Sequence, residues 1–509
     1  MESIHDLVHS LSLSEKRYFK IFCDRHVIGT SNRSVELFNL VAGQTVYDEE
    51  AIMRKLPFAS TPEKLKKQKY RLQQLILKGM GYYHATSNLE MELVETVQQV
   101  RFLYSKGHFR LCLKLIDKGI AKAEPLEKNT ALVMLLSWKA RVLIRLSDFK
   151  GILEAVERQQ AVLSQSSKDM KAMYAAFSIL SKVNLEGMFR SQDEAEELRN
   201  ELSALNGEVD IDGSFLSSYY AISAQGIGHA AIGEYAVQVE SYRSIVQLFL
   251  ERPHFIDDWP MAFLSTVNNL CNAHFSSLQP EDHLAAHNLL LAMRDRGLRT
   301  NDSNVRIQLE LAVFNHGQTQ LIYGGNLHEA KKTADMFVNL MGHELNRFSV
   351  PQRIQLFYDL AYLHFLTGDF RTSQFWLNRI LNDMPEGSRH DLFGFAELMN
   401  ILLHYERKHE GLTEYLERSF KRRLIADDRL YPAERIILRL LEQISNEPDR
   451  KAVNRHLDYA VSKFKVMRQD PYERDIWQYF DFISWLEAKR TGRSMQDVFR
   501  ERMAGLWKR

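Results

Sequence analysis

Long runs of this chain carry apolar residues at three- and four-residue spacing, the pattern of amphipathic helices, and strand-like alternation is nearly absent. The runs are broken by a recurring turn. An apolar helix ends, a Gly or polar residue turns the chain, an aromatic or apolar residue follows, and a second helix begins. The clearest copies are Gly107-His108-Phe109, Ser147-Asp148-Phe149, Gly233-Glu234-Tyr235, Gly325-Asn326-Leu327 and Gly368-Asp369-Phe370. Weaker copies near Arg190–Gln192, Gln279–Pro280, Lys408–Glu410, Asn446–Pro448 and Thr491–Gly492 keep the rhythm. A period of about 40 to 47 residues marks stacked helical hairpins. The pattern predicts an all-α fold, a right-handed α-solenoid of about ten hairpins with helices of roughly 15 to 20 residues. Gly207–Ser214 and Pro253–Pro260 read as longer connections.

The first 88 residues break the rhythm and read as a separate N-terminal helical domain, with the solenoid at 89–509. Ser14 is placed to cap a helix through Phe22, Val27–Arg33 reads as a loop, and Val35–Ala42 and Glu49–Leu56 as short helices. Thr61 followed by Pro62 is a favoured helix start, so a long helix is expected from there.

The five clear turns resemble those of tetratricopeptide repeats. That family places a small residue seven positions before the turn, where Ala140, Gly226 and Ala361 fit but Val100 and Gln318 do not. It places another early in the second helix, where Ala330 and Ser373 fit, Cys112 nearly fits, and Ile152 and Gln238 are larger. The period exceeds the family's usual length of about 34 residues, so the resemblance implies tetratricopeptide-like hairpins with lengthened helices. The layout is also similar to a group of uncharacterised Bacteroidota proteins, through Leu11–Phe22, Tyr47–Leu56 and Lys67–Met80 followed by helical repeats. That similarity implies a bacterial origin and no mechanism.

Composition narrows the function. The formal net charge is +1 over 509 residues, so no global field draws nucleic acid or anionic membrane. Gly (24) and Pro (11) are scarce, which favours long helices. Cys23, Cys112 and Cys271 form no CxxC pair and read as reduced thiols of a cytoplasmic protein. No secretory leader or membrane span is legible.

Several constellations invite chemistry. Gly226, Gly228 and Gly233 suggest a phosphate loop, but they lie in a predicted helix and lack the preceding strand that a dinucleotide fingerprint needs. His283 and His287, with Glu281 nearby, are spaced to share a metal but lack a third ligand in sequence, and read as packing or surface residues. Cys271 and His274 are near neighbours, and spacing alone does not activate a thiol. The remaining histidines look scattered. No catalytic residue, metal or cofactor is expected. Lys64, Lys67, Arg71 and Lys78 share one face of the helix after Thr61, beside an apolar face of Leu65, Leu72, Leu75 and Ile76. With the preceding helix this suggests a helix-turn-helix whose basic face meets phosphates, or a solvated face.

Aromatic residues are abundant: 28 Phe, 20 Tyr and 6 Trp. Most must pack between hairpins. Counting from the turns places Asn315, Thr319 and Tyr323 on the inner face of one hairpin and Tyr358, Tyr362 and Phe365 on the next, with Asn268, Asn272 and His274 before them. Amides bond a peptide backbone as donor and acceptor, and tyrosines add rigid area with a polar tip. The expected function is a non-catalytic protein- or peptide-binding scaffold that uses this face. The alternative is a ligand-sensing regulator whose N-terminal domain binds nucleic acid.

Overall fold

The computed structural model describes residues 4–24, 32–85, 89–208, 213–296, 302–342, 344–385, 387–445 and 447–507. Among them the chain is all-α, with 25 α-helices and no strand. Sequence-adjacent helices pack on each other through most of the chain, as a solenoid requires. No described helix is long and apolar enough to cross a membrane. Contacts divide the chain into two compact units, Met1–Ser166 and Ser167–Arg509, with the division inside the helix Phe149–Glu186.

The first unit opens with helices Ile4–Ser10, Leu13–Asp24, Arg33–Ala42, Glu49–Lys55 and Pro62–Ala85 around a core that includes Phe19, Phe38, Ile52, Leu65, Leu72 and Ile76. Ser12, rather than Ser14, caps the second helix. Its Oγ accepts from Glu15 N at 3.3 Å, and Glu15 Oε2 returns a bond to Ser12 N at 2.7 Å, so the reciprocal pair fixes the start. Thr61 Oγ1 accepts from Lys64 N at 3.3 Å and Pro62 opens the long helix. Of the expected loop Val27–Arg33, residues 27–31 lie outside the described residues and Arg33 already belongs to a helix. Helices Leu89–Ser105, Phe109–Ala123 and Asn129–Leu146 share a second core with Val100, Cys112, Ile116 and Leu135.

The five clear turns are alike in backbone. Gly107, Ser147, Gly233, Gly325 and Gly368 all take left-handed φ values, from 56° to 83°. In each, the next N–H reaches back five residues to a helix carbonyl, at 2.8–3.1 Å: His108 to Leu103, Asp148 to Leu143, Glu234 to His229, Asn326 to Leu321 and Asp369 to His364. This closure satisfies a carbonyl that the helix end would otherwise orphan. Leu278, Lys408 and Gly492 repeat the left-handed step at three of the weaker turns. Asn446 lies outside the described residues.

Histidine is not scattered in this frame. His229, His274, His364 and His404 each stand five residues before a turn's polar residue, and each ring Nδ1 lies 2.7–3.2 Å from that residue's side chain: Glu234, Gln279, Asp369 and His409. Four residues that look unrelated in sequence thus clip four turns in one register.

One helix is about twice the expected length. Phe149–Glu186 runs for 38 residues without interruption, because no Gly or Pro lies between Ile152 and Glu186. Gly207, expected in a loop, belongs to the helix Gln192–Glu208, and a five-residue helix, His254–Asp258, interrupts the Pro253–Pro260 connection.

The second unit continues through the hairpins Phe215–Ala231/Tyr235–Glu251, Pro260–Ser276/Pro280–Arg296, Ser303–Tyr323/Leu327–Met341, Val350–Leu366/Phe370–Leu381, His390–Glu406/Glu410–Ala426, Pro432–Ile444/Arg450–Met467 and Phe482–Thr491/Met495–Leu506. Its early and late parts meet. Arg389 N donates to Asn184 O at 2.8 Å, and Arg429 pairs with Glu186. Arg190 is buried and forked on both sides. It donates to Glu434 at 2.5 and 2.9 Å and to Glu473 at 3.0 and 2.8 Å, with its guanidinium 4.5 Å from the Tyr431 ring centre.

Candidate functional site

The second unit holds a half-open cavity of about 920 Å³, at the upper end of the range that holds a drug-sized ligand. Its walls come from the inner helices of successive hairpins. Helix Ser303–Tyr323 brings Asn315, Thr319 and Tyr323 to it, one turn apart. Helix Val350–Leu366 starts firmly, with a reciprocal Ser349–Gln352 capping box and Pro351 in its first turn, and brings Tyr358 and Tyr362. Phe365 is not at the wall. It is buried between Phe370 and Phe480, with ring centres 5.3 Å away on either side. Asn268 and Asn272 also line the cavity, whereas His274 is buried at its turn.

The lining is rich in amides. Besides the asparagines it includes Gln238, Gln308, Gln318, Gln352 and Gln355. Among the described residues, the side-chain amides of Asn272 and Asn315 bond no other protein group and face the cavity, whereas the Gln238 and Gln318 Oε1 atoms are buried behind its wall. The Asn272 and Asn315 amides are open to the cavity and can exchange water for the donors and acceptors of a ligand.

One side of the cavity is already occupied by the chain itself. Residues 468–481 cross from the helix Arg450–Met467 to the helix Phe482–Thr491, with only a short 3-10 turn at Ile476–Gln478. The Tyr358 hydroxyl donates to Tyr479 O at 3.0 Å, and Asp481 N donates to the Tyr362 hydroxyl at 3.4 Å. Tyr479 donates to Asp391 at 2.7 Å, and Gln478 Nε2 donates to the Tyr235 hydroxyl at 3.2 Å. Trp477 meets Tyr323 and Phe275 edge-on or tilted, at 5.9 and 5.7 Å between ring centres. The tyrosines read from sequence as an open inner face are therefore mostly buried, and the polar tips of Tyr358 and Tyr362 hold main chain of the same molecule. Counting from the turns places Asn315, Thr319, Tyr323, Tyr358 and Tyr362 along one wall. It could not find the segment lying on it, which comes from more than a hundred residues further along.

The other constellations resolve into packing. A Cβ on Gly226 would stand 3.0 Å from the Tyr242 ring, and one on Gly228 would stand 2.7 Å from Leu202, so both glycines serve close helix contact. Gly233 is a turn residue. His283 and His287 are buried with His316. His283 Nε2 lies 3.3 Å from His316 Nδ1, His287 Nε2 lies 3.2 Å from Val313 O, and His316 Nε2 lies 3.2 Å from Asn268 Oδ1. Burial, reinforced by the neighbouring rings, pushes His283 down to about 4 and His316 well below its ordinary value. Glu281 is exposed, and no group of three metal-ligating side chains is assembled among the described residues. Burial pushes the Cys271 thiol up, away from the thiolate a nucleophile needs.

On the first unit, Lys64, Lys67, Arg71 and Lys78 are all exposed, and none has an acidic partner among the described residues. Leu65, Leu72 and Ile76 on the same helix are fully buried, and Leu75 is half-buried. Lys69, off the stripe, pairs with Glu49 at 2.5 Å and ties the helix to Glu49–Lys55.

No protein-family model matches the chain, and no curated protein matches it.

Proposed function

We propose that this chain is a non-catalytic scaffold that holds an extended peptide segment of a partner protein in the cavity of its second unit. The observation that carries this reading is the chain's own segment: the same wall holds polypeptide by main-chain bonds from Tyr358 and to Tyr362, and the part of the wall beside it presents the Asn272 and Asn315 amides to the cavity. A peptide backbone offers a donor and an acceptor at nearly every residue, which is what an amide-lined wall recognises. In this reading the array is tetratricopeptide-like, a right-handed solenoid of about ten lengthened hairpins, akin to the Bacteroidota group and working in the cytoplasm.

The test fills the space. Asn315→Trp and Thr319→Trp together place two indoles in the cavity without touching the hydroxyl anchors. Selection from a displayed random-peptide library should enrich binders on the wild type and lose them on the filled variant. A wild type that enriches nothing beyond the filled variant would end this reading. Tyr358→Ala with Tyr362→Ala is a poor probe, since it also releases the chain's own segment.

A second reading, a regulator with a nucleic-acid-binding first unit, is favoured by one observation. Helix Pro62–Ala85 carries six basic residues and one acidic residue in a chain whose overall charge is +1, and its four-residue stripe is exposed and unpaired among the described residues. Duplex DNA should bind with a log–log salt slope that shrinks by about 0.9 for each stripe residue that is neutralised. Absence of binding at low salt rules it out.

A further inference from the structure

We infer that Asp359 is the cation-recognition point of this cavity, taking the ammonium of a bound peptide, either its N-terminus or a lysine side chain. The inference rests on the reading that the cavity holds a peptide.

The charge inventory of the wall is short. Asp359, Arg389 and Asp391 are its only Asp, Glu, Lys or Arg among the described lining residues. Arg389 and Asp391 satisfy each other: Nε and Nη2 donate to the two carboxylate oxygens at 2.9 and 2.8 Å, and Asp391 also accepts from the Tyr479 hydroxyl at 2.7 Å. The remaining Arg389 nitrogen, Nη1, donates to Gln355 at 3.1 Å. A ligand carboxylate therefore finds no uncommitted cation on this wall.

Asp359 is different. It follows Tyr358 on the same helix, and its carboxylate is exposed to the cavity. Its one hydrogen bond comes from the neutral Gln355 Nε2 to Oδ1, at 2.9 Å. It has no ion pair among the described residues, and its Oδ2 accepts nothing from them. The protein around the cavity mouth takes the place of part of its solvent shell, and that desolvation raises the carboxylate to about 7 against the opposing pull of Gln355 and Arg389. An ammonium delivered by a ligand supplies the missing partner, and a charge-assisted bond is among the stronger polar contacts available. The neutral amides around it bond the backbone that follows the ammonium.

The probe is a synthetic library of randomised hexapeptides in three forms: free N-terminus without lysine, acetylated without lysine, and acetylated with lysine. The wild type should enrich a form that carries an ammonium over the acetylated lysine-free form by roughly tenfold or more. Which of the two cationic forms leads tells whether the ammonium is terminal or from a side chain. Asp359→Asn should bind all three forms equally, at the level the wild type shows for the acetylated lysine-free form. Equal enrichment of all three by the wild type overturns the role of Asp359 while leaving peptide capture intact, and needs no variant. Failure to enrich any form over the Asn315→Trp/Thr319→Trp variant overturns the cavity reading and this inference with it.

Discussion

The Tyr358 hydroxyl donates a 3.0 Å hydrogen bond to the main-chain carbonyl of Tyr479, a residue 121 positions later. One turn on, the Tyr362 hydroxyl accepts from Asp481 N. Two side chains on one helix thus fix a crossing segment by its backbone alone. Replacing both with Phe keeps the ring packing and leaves a buried carbonyl and a buried N–H short of a partner. The double variant should lose about 2 to 4 kcal/mol of stability, measured by urea denaturation. An unchanged midpoint would mean that the segment is held by its aromatic contacts.

Arg190 is the only cation of a buried three-residue network, with Glu434 and Glu473. Arg190→Met strands two buried carboxylates and should cost about 3 to 5 kcal/mol. Adding Glu434→Leu and Glu473→Gln should recover most of that loss, because the stranded charges are then gone. If the single and triple variants unfold at the same denaturant concentration, the packing of the Arg190 side chain on Tyr431 matters more than its charge.

Histidine burial predicts an acid-sensitive second unit. In the unfolded chain His283 takes a proton near its ordinary value of 6.5, whereas the folded site refuses one until about pH 4. The unfolded state therefore binds more protons in that window, and stability falls as pH drops from 6.5 to 4, by about 3 kcal/mol for this residue. Glu417 acts with the opposite sign. Burial, helped by Glu442 and Glu414, raises it from 4.5 to about 7, so its contribution is present at low pH and lost as pH rises through 7. His283→Gln should flatten the acid limb of the stability profile, and Glu417→Gln should raise stability above pH 7. Parallel urea titrations from pH 4 to 8 separate the two; profiles that keep the wild-type slope would show that neither group is linked to folding.

The turns give a paired prediction on backbone strain. Ser147 sits at φ 56°, where a side chain is disfavoured, so Ser147→Gly should stabilise by about 1 kcal/mol. Gly107 and Gly368 have open space where a Cβ would go, so Gly107→Ala and Gly368→Ala should each cost about the same amount through φ alone. Gly228→Ala should cost more, because its Cβ meets Leu202 within a helix. Melting temperatures of the four variants give the ranking, and a harmless Gly228→Ala would contradict the close helix contact.

What was legible in the sequence follows the range of the interaction. The turns were visible because left-handed geometry selects Gly or a small polar residue at a fixed place, and the apolar face Leu65–Leu72–Ile76 because burial on one side of a helix leaves a local period. The all-helical class followed from both. The histidine clips carry no local signature, because their signal is a register relative to the turn and not a spacing between histidines. The unbroken helix Phe149–Glu186 departs from the rhythm of the turns because its composition, free of Gly and Pro from Ile152 on, imposes no stop. Wall residues such as Asn315 and Tyr358 were found by counting from turns, but Arg389, Asp391 and Tyr479 reach the same cavity from other hairpins, and no local pattern ties them to it. The role inferred for Asp359 needed the inventory of which charges were already paired.

The meeting of early and late parts in the second unit sets an order in time. Arg190 leaves the ribosome 283 residues before Glu473 does. At ordinary synthesis rates of 5 to 20 residues per second, its guanidinium waits on the order of 15 to 60 s for its second carboxylate. Gln478 and Tyr479, which close one side of the cavity, arrive later still. Tyr358 itself precedes Tyr479 by 121 residues, on the order of 6 to 24 s of synthesis, so the wall's tyrosines first become available to other polypeptides and only afterwards to their own segment.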